Sequence, residues 1–393
     1  MTLRRARKTF SSGRKGLPVV LERKPYNAET PMDTLATSDI TPNRSFYVRN
    51  HFSIPKVDPS RWRLKLSGDV ERPLRLSLPS IMRMRTKTVV TTMECAGNGR
   101  SKMNPVPPGT PWRTGALGTA SWTGVPLKQV LAKAGVNDSA VEVLFRGADS
   151  GLVGGRITRF ERSLPIEEAM DENVILAFRM NGRPLPMSHG YPVRLNVPGW
   201  YGMASVKWLD EVSLISEPFE GRFQSSSYVY SKRDGTPSIP VTRMRVKSLI
   251  TTPSEEANVK CRSPVSVSGL AWSGYGKIER VEVRFGRSRW RKARLVGQDL
   301  GRFCWRRWLC RWVPDKPGRY TISSRAVDDS GGSQPEAEVF DELGYGYNTV
   351  TRISVRAVLD RQKKKKTRSG RQGTRDMENS GRLRGENPFL FSS

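Results

Sequence analysis

One segment of the chain reads Thr91-Thr92-Met93-Glu94-Cys95-Ala96-Gly97-Asn98-Gly99-Arg100. It places a cysteine where an apolar, β-branched run ends and a turn of small residues begins, and the turn closes on an arginine. A thiolate at a strand end, with backbone close by and a cation nearby, suits a soft metal centre that handles an anionic substrate. The alternative is a buried free cysteine, because cysteine is among the most buried residue types. The segment alone leaves both interpretations open.

The chain of 393 residues is long enough for two domains. Within residues 30–240, short strand-like runs at Thr88–Thr92, Ala140–Phe145 and Val193–Val197 alternate with helical stretches such as Leu127–Ala134. Proline- and glycine-rich turns separate them. This pattern predicts an α+β domain.

Residues 241–356 show a different pattern. Val281, Val283 and Phe285 alternate with polar residues, and several tryptophans add large apolar side chains. Turn signals such as Asp315–Gly318 recur at strand spacing. These features predict an all-β, immunoglobulin-like sandwich without the usual disulfide.

Both ends of the chain are basic, and the net charge is +30. We predict that residues 1–29 and the tail 357–393, with the run Lys363–Lys366, are disordered, because apolar residues are scarce there. Such ends could bind nucleic acid, an anionic surface or an acidic protein. A solvated tail is the favoured interpretation, since no aromatic residues are interleaved for base stacking.

The four cysteines suggest a reducing compartment. None forms a C-x-x-C pair, and Cys304 and Cys310 are too far apart on a strand to bridge. No apolar run reaches the roughly 20 residues of a membrane helix, and no apolar signal region follows Arg4-Arg5. We therefore predict a cytoplasmic protein without a membrane span, or a periplasmic one if the true start lies elsewhere.

The segment Cys95–Arg100 resembles the molybdenum-ligand signature of the sulfite oxidase family, molybdopterin enzymes that include eukaryotic nitrate reductases. Further blocks resemble the same family in the same order, so that the resemblance extends over about residues 30–355. These blocks are Phe46–Phe52, Thr110–Trp112, Gly147–Gly151, Met180–Arg194 and Val197–Leu209.

The resemblance implies a role for each matching residue. Cys95 would ligate molybdenum as a thiolate. Arg49 and Arg100 would hold the substrate oxyanion, for which the planar guanidinium is well suited. Trp112 would form a wall of the substrate pocket. The implied cofactor-binding residues are Asn50, His51, Asp149, His189, Arg194, Ser205, Val206 and Lys207.

Two of these assignments have alternatives. Asp149 suits the hydrogen-bond donors of a pterin, but it also suits an ordinary turn. Tyr228 matches the position of the family's active-site tyrosine, and its neighbour Tyr230 is a rival.

The sequence also departs from the family pattern at two positions. Gly99 replaces an arginine common in the animal and plant enzymes, which implies a weaker positive field in the pocket. Leu343 stands where the animal enzymes have a further substrate arginine, which leaves substrates other than sulfite open.

The resemblance implies a molybdopterin-dependent oxidoreductase that oxidises sulfite or a related sulfur compound by oxygen-atom transfer. Electrons would pass to a separate acceptor such as a cytochrome, because no haem attachment motif is present in the chain. The second domain resembles the family's dimerisation domain, which implies a homodimer. The alternatives are a reductase of nitrate or another small oxo-substrate on the same centre, and a cofactor-free, basic protein associated with nucleic acid.

Overall fold

A computed structural model describes residues 16–231 and 238–359, and this part of the chain consists mostly of β-strands. Residues 1–15 and the tail from residue 360 onward lie outside the described residues. The predictions of disorder and of nucleic-acid binding at the two basic ends fall mainly there.

Residues 16–29 differ from the prediction of a disordered N-terminus. They include a two-stranded hairpin of β1 (Val19–Arg23) and β2 (Tyr26–Glu29). The hairpin is ordered by tertiary contacts, because Ala28 exchanges backbone hydrogen bonds with Val48, and Asn27 is fully buried. Local composition carried no sign of these contacts.

The first domain contains two larger sheets. One has the order β10-β9-β6-β5, with β11 also paired to β9, and the other has the order β4-β3-β12-β7-β8. A short pair, β13 with β14, follows them. Their bounds are β3 Arg63–Gly68, β4 Leu74–Ser77, β5 Lys87–Glu94, β6 Leu117–Pro126, β7 Glu142–Val153, β8 Arg156–Pro165, β9 Ile175–Met180, β10 Arg183–Pro184, β11 Arg194–Asn196, β12 Leu209–Ile215, β13 Val229–Tyr230 and β14 Ile239–Pro240.

The described helices are short. They are α1 Met32–Thr37, α2 Leu78–Met82, α3 Leu127–Ala134, α4 Ile166–Ala169 and α5 Arg222–Ser225, with 3₁₀ turns at Arg100–Lys102, Met187–His189 and Gly202–Ala204. The predicted helix Leu127–Ala134 is confirmed, since it buries an apolar stripe with helical spacing and ends at Gly135. The domain is nevertheless richer in strands than the α+β prediction implied. The other helices span one or two turns, too short to present such a stripe.

The second domain consists of two sheets with a shared apolar core. One sheet has the order β15-β17-β21-β20 and the other β16-β23-β22-β18-β19. Buried side chains alternate along most of Ile278–Phe285 and Thr351–Val358, as the period of two predicts, whereas Lys247–Thr252 is buried over its first five residues. The strand bounds are β15 Lys247–Thr252, β16 Ala257–Lys260, β17 Val265–Trp272, β18 Ile278–Phe285, β19 Arg291–Lys292, β20 Arg294–Val296, β21 Arg306–Trp312, β22 Gly318–Asp328 and β23 Thr351–Val358.

The two domains share an apolar cluster. Leu270, Trp272 and Trp305 of the second domain pack into the large core of the first. The Cys304 thiol donates to the carbonyl of Val90 in β5, at 3.1 Å. The second domain therefore packs directly against the strand that carries the Cys95 segment. All four cysteines are buried and free.

Candidate active site

Cys95 directly follows β5 and opens a tight turn. Its amide donates to the carbonyl of Ala116 at 2.9 Å, and its own carbonyl accepts from the amide of Asn98 at 2.9 Å. Burial raises the pKa of the Cys95 thiol, while the Arg49 guanidinium and a hydrogen bond from the backbone of Gly97 lower it in part. The nearby donors and cations thus favour a thiolate, although burial opposes it.

Cys95 lies on an inner cavity of the first domain. This cavity brings together most of the residues predicted from the sequence. They are Arg49, Asn50, His51, Cys95, Asp149, His189, Arg194, Ser205, Lys207 and Tyr228.

Lys207 is a buried cation on the inner cavity. It donates to Oδ1 of Asn50 and, at 3.1 Å, to the carbonyl of Ser188. Burial lowers the pKa of Lys207 well below its usual value, and the positive charge of Arg194 acts in the same direction. Asp149 opposes that shift, while burial raises its own pKa to about 6. Asp149 is therefore held in a cavity wall and does not behave as an exposed turn residue.

Arg194 and His189 form another wall of the inner cavity. Arg194 donates to the carbonyls of His189 at 3.1 Å and Ser205 at 2.8 Å, and burial lowers its pKa to about 10. Burial, together with the charges of Lys207 and Arg194, lowers the pKa of His189 to about 3. Val206 does not line the cavity; it is buried beside Ser205, and its carbonyl accepts from Leu195 at 2.8 Å.

Asn50 is held in place by the N-terminal hairpin. Its amide donates to Oδ1 of Asn27 at 2.7 Å, and its side chain donates to the carbonyl of Tyr26 at 2.9 Å. Arg49 precedes it and donates to the Asn50 carbonyl. Burial lowers the pKa of Arg49, but the neighbouring acidic groups, with Tyr228 and Cys95 foremost, together raise it above its usual value.

An outer cavity adjoins the inner one and opens to solvent. Arg49, His51, Cys95 and Tyr228 line both cavities. The outer one adds Arg100, Trp112, Leu343 and Tyr345.

Arg100 lies in the wall of the outer cavity and is buried. It donates through Nη1 to the carbonyl of Thr110 at 3.1 Å and through Nη2 to the carbonyl of Leu343 at 3.0 Å. Among the described residues, its buried Nε has no hydrogen-bond partner.

Tyr228, unlike Tyr230, lines both cavities. Its hydroxyl lies 2.8 Å from Nε2 of His51, and its ring stacks on Tyr345 with the centroids 5.0 Å apart. Its φ of 44° is in the left-handed region, which is unusual for an aromatic residue and is often found at functional sites. Tyr230 instead packs against Arg245, at 4.1 Å from its ring centroid.

The donor set of the inner cavity fits an anionic cofactor that brings most of its own metal ligands. Arg49, Arg194 and Lys207 lie in its walls with a single carboxylate, Asp149. In residues 16–231 and 238–359, no cluster of three or more His, Cys, Asp or Glu side chains is arranged to hold a metal. A metal bound through Cys95 would therefore need further ligands from a cofactor.

Sequence reasoning missed several residues at the site. Lys247 and Trp272 both donate hydrogen bonds to Glu94 beneath the Cys95 turn, and Phe160 stacks on His51. A signal existed for Glu94, because an acidic residue directly after a buried strand run needs a partner. No sequence signal identified Lys247 as that partner.

The fold and the inner cavity define a protein suited to bind an anionic cofactor, and comparison with known proteins identifies its family. Residues 51–223 match the model of the oxidoreductase molybdopterin binding domain, and residues 238–358 match that of the Mo-co oxidoreductase dimerisation domain. The chain therefore belongs to the sulfite oxidase family of molybdopterin oxidoreductases, as its sequence blocks predicted.

Several relatives are similar in sequence. Rat mitochondrial sulfite oxidase is 37% identical over 362 residues, which cover 86% of this chain and 65% of the rat protein. The chain therefore spans less than two thirds of that relative. Chicken sulfite oxidase is 37% identical over 339 residues, covering 81% of this chain and 73% of the chicken protein. NADH nitrate reductase 2 of Phaseolus vulgaris is 32% identical over 369 residues, covering 84% of this chain and 41% of the bean protein.

A solved structure has a similar fold. The sulfane dehydrogenase SoxCD of Paracoccus pantotrophus matches with a TM-score of 0.76 and 29% identity, covering 89% of this chain and 92% of that chain. In residues 16–231 and 238–359, no helix is long and apolar enough to cross a membrane.

Proposed function

We propose that this protein is a molybdopterin-dependent oxidoreductase that oxidises sulfite or a related sulfur compound by oxygen-atom transfer and passes the electrons to a separate acceptor. One observation supports this most strongly. The Cys95 thiol lies where an inner cavity with buried cations meets an outer cavity walled by Arg49 and Arg100. The first cavity suits an anionic cofactor and the second an anionic substrate.

The proposed cofactor site is the inner cavity. Cys95 would provide the protein's thiolate to molybdenum, which supplies the redox chemistry of oxygen-atom transfer when bound. Lys207 and Arg194 would neutralise the anionic groups of the pterin, and Asp149 would accept hydrogen bonds from its ring donors. Asn50, His51, His189 and Ser205 would provide the remaining polar contacts, and Val206 would shape the backbone beside them.

The proposed substrate site is the outer cavity. Arg49 and Arg100 would orient the oxyanion, and Trp112 would exclude water from one side of it. The hydroxyl of Tyr228, beside His51, would donate a hydrogen bond to the oxyanion.

The carbonyl of Leu343 accepts a hydrogen bond from Arg100, and the uncharged Leu343 lines the outer cavity. The substrate range therefore includes sulfur compounds with less negative charge than sulfite. The relation to SoxCD, a sulfane dehydrogenase, supports the inclusion of sulfane sulfur.

A second candidate is reduction of nitrate on the same centre. It is supported by the bean nitrate reductase, at a lower identity than the sulfite oxidases. Assays of sulfite oxidation and nitrate reduction with artificial electron carriers distinguish the two directions.

We also infer that the second domain forms the homodimer interface, since it matches a dimerisation domain. Its two facing sheets around Trp308 support an immunoglobulin-like sandwich.

The deciding experiment measures molybdenum content and activity on a sulfite, sulfane and nitrate panel, in wild type and in Cys95→Ser. We expect about one molybdenum per wild-type chain and loss of activity in the variant. The buried Cys310→Ser is the matched control, because Cys310 lies in the second domain's core. Wild-type protein without molybdenum, from a host that makes the cofactor, would refute the proposal.

A further inference from the structure

The carboxylate of Glu94, next to Cys95, is buried and fully engaged. Its Oε1 accepts from Nδ2 of Asn98 at 2.8 Å and from Nζ of Lys247 at 2.9 Å, and its Oε2 accepts from Nε1 of Trp272 at 2.8 Å. Its relative exposure is 1%. Asn98 belongs to the Cys95 turn (Cys95–Lys102), whereas Lys247 and Trp272 belong to the second domain. The carboxylate therefore joins the turn to the other domain.

Lys247 makes a second contact with the same turn. Its Nζ also donates to the carbonyl of Asn98 at 3.0 Å, and its side chain is 5% exposed. One ammonium thus bonds to Glu94, directly before the thiol, and to Asn98, within the turn that follows it. This arrangement restrains the path of the backbone between Glu94 and Asn98, and with it the direction of the Cys95 side chain.

Other second-domain groups contact the turn from the same side. The amide of Gly346 donates to the carbonyl of Ala96 at 2.8 Å, and Arg100 donates to the carbonyl of Leu343. The ring of Tyr347 lies against Gly99. These contacts provide a fixed frame in which Lys247 and Glu94 form the charged, central link.

We infer that Lys247, acting through Glu94 and Asn98, is a positioning residue that sets the orientation of the Cys95 thiol. The inference rests on the proposed function, in which Cys95 is the metal ligand. Buried ion pairs are weak evidence for stability, because desolvation offsets their attraction. A pair that spans two domains beside a metal ligand is better explained by the geometry that it fixes. Residues that orient a metal ligand typically change affinity or activity about 10-fold to 100-fold when lost.

The test compares Lys247→Met, Lys247→Arg and the double variant Glu94→Gln/Lys247→Met in the full-length protein, purified from a host that supplies the cofactor. The double variant removes both charges, so that Glu94 is not left as an uncompensated buried anion. The matched control is Arg307→Met. Arg307 is another charge that links the domains, and it bonds to Asp39 and the carbonyls of Leu35, Ala36 and Ser38, away from Cys95.

Three quantities are measured: molybdenum content, the electron paramagnetic resonance spectrum of Mo(V), and amide hydrogen exchange of residues 95–102. In the double variant we expect an altered Mo(V) spectrum, faster exchange of the turn, and a kcat lowered about tenfold. Lys247→Arg should keep most of the wild-type spectrum, because it keeps the positive charge. Arg307→Met should leave both the spectrum and the exchange unchanged.

A double variant with wild-type spectrum and exchange overturns the inference, as does an equal change in the Arg307→Met control. Wild-type protein without molybdenum overturns the proposed function instead. In that case, amide hydrogen exchange of residues 95–102 in the Lys247 variants still shows whether Lys247 orders the Cys95 turn.

Discussion

The hydroxyl of Tyr228 lies 2.8 Å from Nε2 of His51, at the junction of the two cavities. Burial lowers the pKa of His51 well below its usual value, and the charges of Arg49 and Lys207 add to this effect. Burial also raises the pKa of Tyr228. Both groups are therefore neutral near pH 7, and the tyrosine retains a proton to donate towards the outer cavity.

Tyr228→Phe should lower kcat/KM for the oxyanion substrate. A hydrogen bond to a charged group contributes roughly 1.5–3 kcal/mol, which corresponds to about a 10-fold to 100-fold loss. Steady-state kinetics measures the effect. Tyr230→Phe is the matched control, because Tyr230 lies on neither cavity, and it should remain near wild type. Equal losses in the two variants would show that Tyr228 has no special role.

Arg100→Gln should raise KM and lower kcat/KM, because a charge-assisted contact with the substrate is lost. The transition state should lose about 2–3 kcal/mol of stabilisation. Arg100→Lys keeps the charge but not the planar fork, so it should recover part of the loss. The control Arg311→Gln removes an exposed charge of the second domain and should have little effect. Wild-type kinetics in Arg100→Gln would exclude Arg100 from substrate binding.

Most of the residues singled out from the sequence line one cavity, whereas the fold around them was predicted less completely. Residues of the inner cavity lie in blocks whose order resembles a family, and the helix Leu127–Ala134 has a clear apolar period. The hairpin of β1 and β2 was missed, because residues such as Asn27 are ordered by contacts with distant Asn50.

The second domain's share of the site was also not predictable. Lys247 and Glu94 are 153 positions apart and belong to different domains. Nothing in the local pattern of either strand indicates the pairing, since each residue alone resembles an ordinary charge near a strand end. Such a pair follows from domain packing, which periodicity and composition do not describe.

His189 should make the protein less stable in acid. Its pKa is about 3 in the folded protein and near 6.5 when unfolded, so the unfolded chain binds more protons between these values. The stability that depends on neutral His189 is therefore present above about pH 6.5 and is lost as the pH falls towards 3. When the pH is lowered from 7.5 to 4.5, the unfolding free energy of wild type should fall by about 2–3 kcal/mol more than that of His189→Gln.

Urea unfolding of cofactor-free protein at several pH values measures this difference. If His189→Gln and wild type lost stability in parallel, the assignment of a buried, neutral imidazole would be wrong.

Asp149→Asn should change the pH profile of stability in the opposite direction. Its pKa is raised to about 6, so the folded protein binds the extra proton and wild-type stability falls as the pH rises through 4 to 6.

Gly99→Ala should destabilise the protein for two separable reasons. Gly99 has a φ of 98°, in the left-handed region, which costs an L-residue about 1–2 kcal/mol. A Cβ there would also lie 2.5 Å from Cδ1 of Tyr347, and such overpacking costs about 1–3 kcal/mol.

Because the second cost depends on the tyrosine ring, Gly99→Ala should be less harmful in a Tyr347→Ala background. Urea unfolding of the two single variants and the double variant gives the coupling energy, which we expect to be about 1 kcal/mol or more. Additive effects would show that Tyr347 does not occupy the space that an arginine at this position would need.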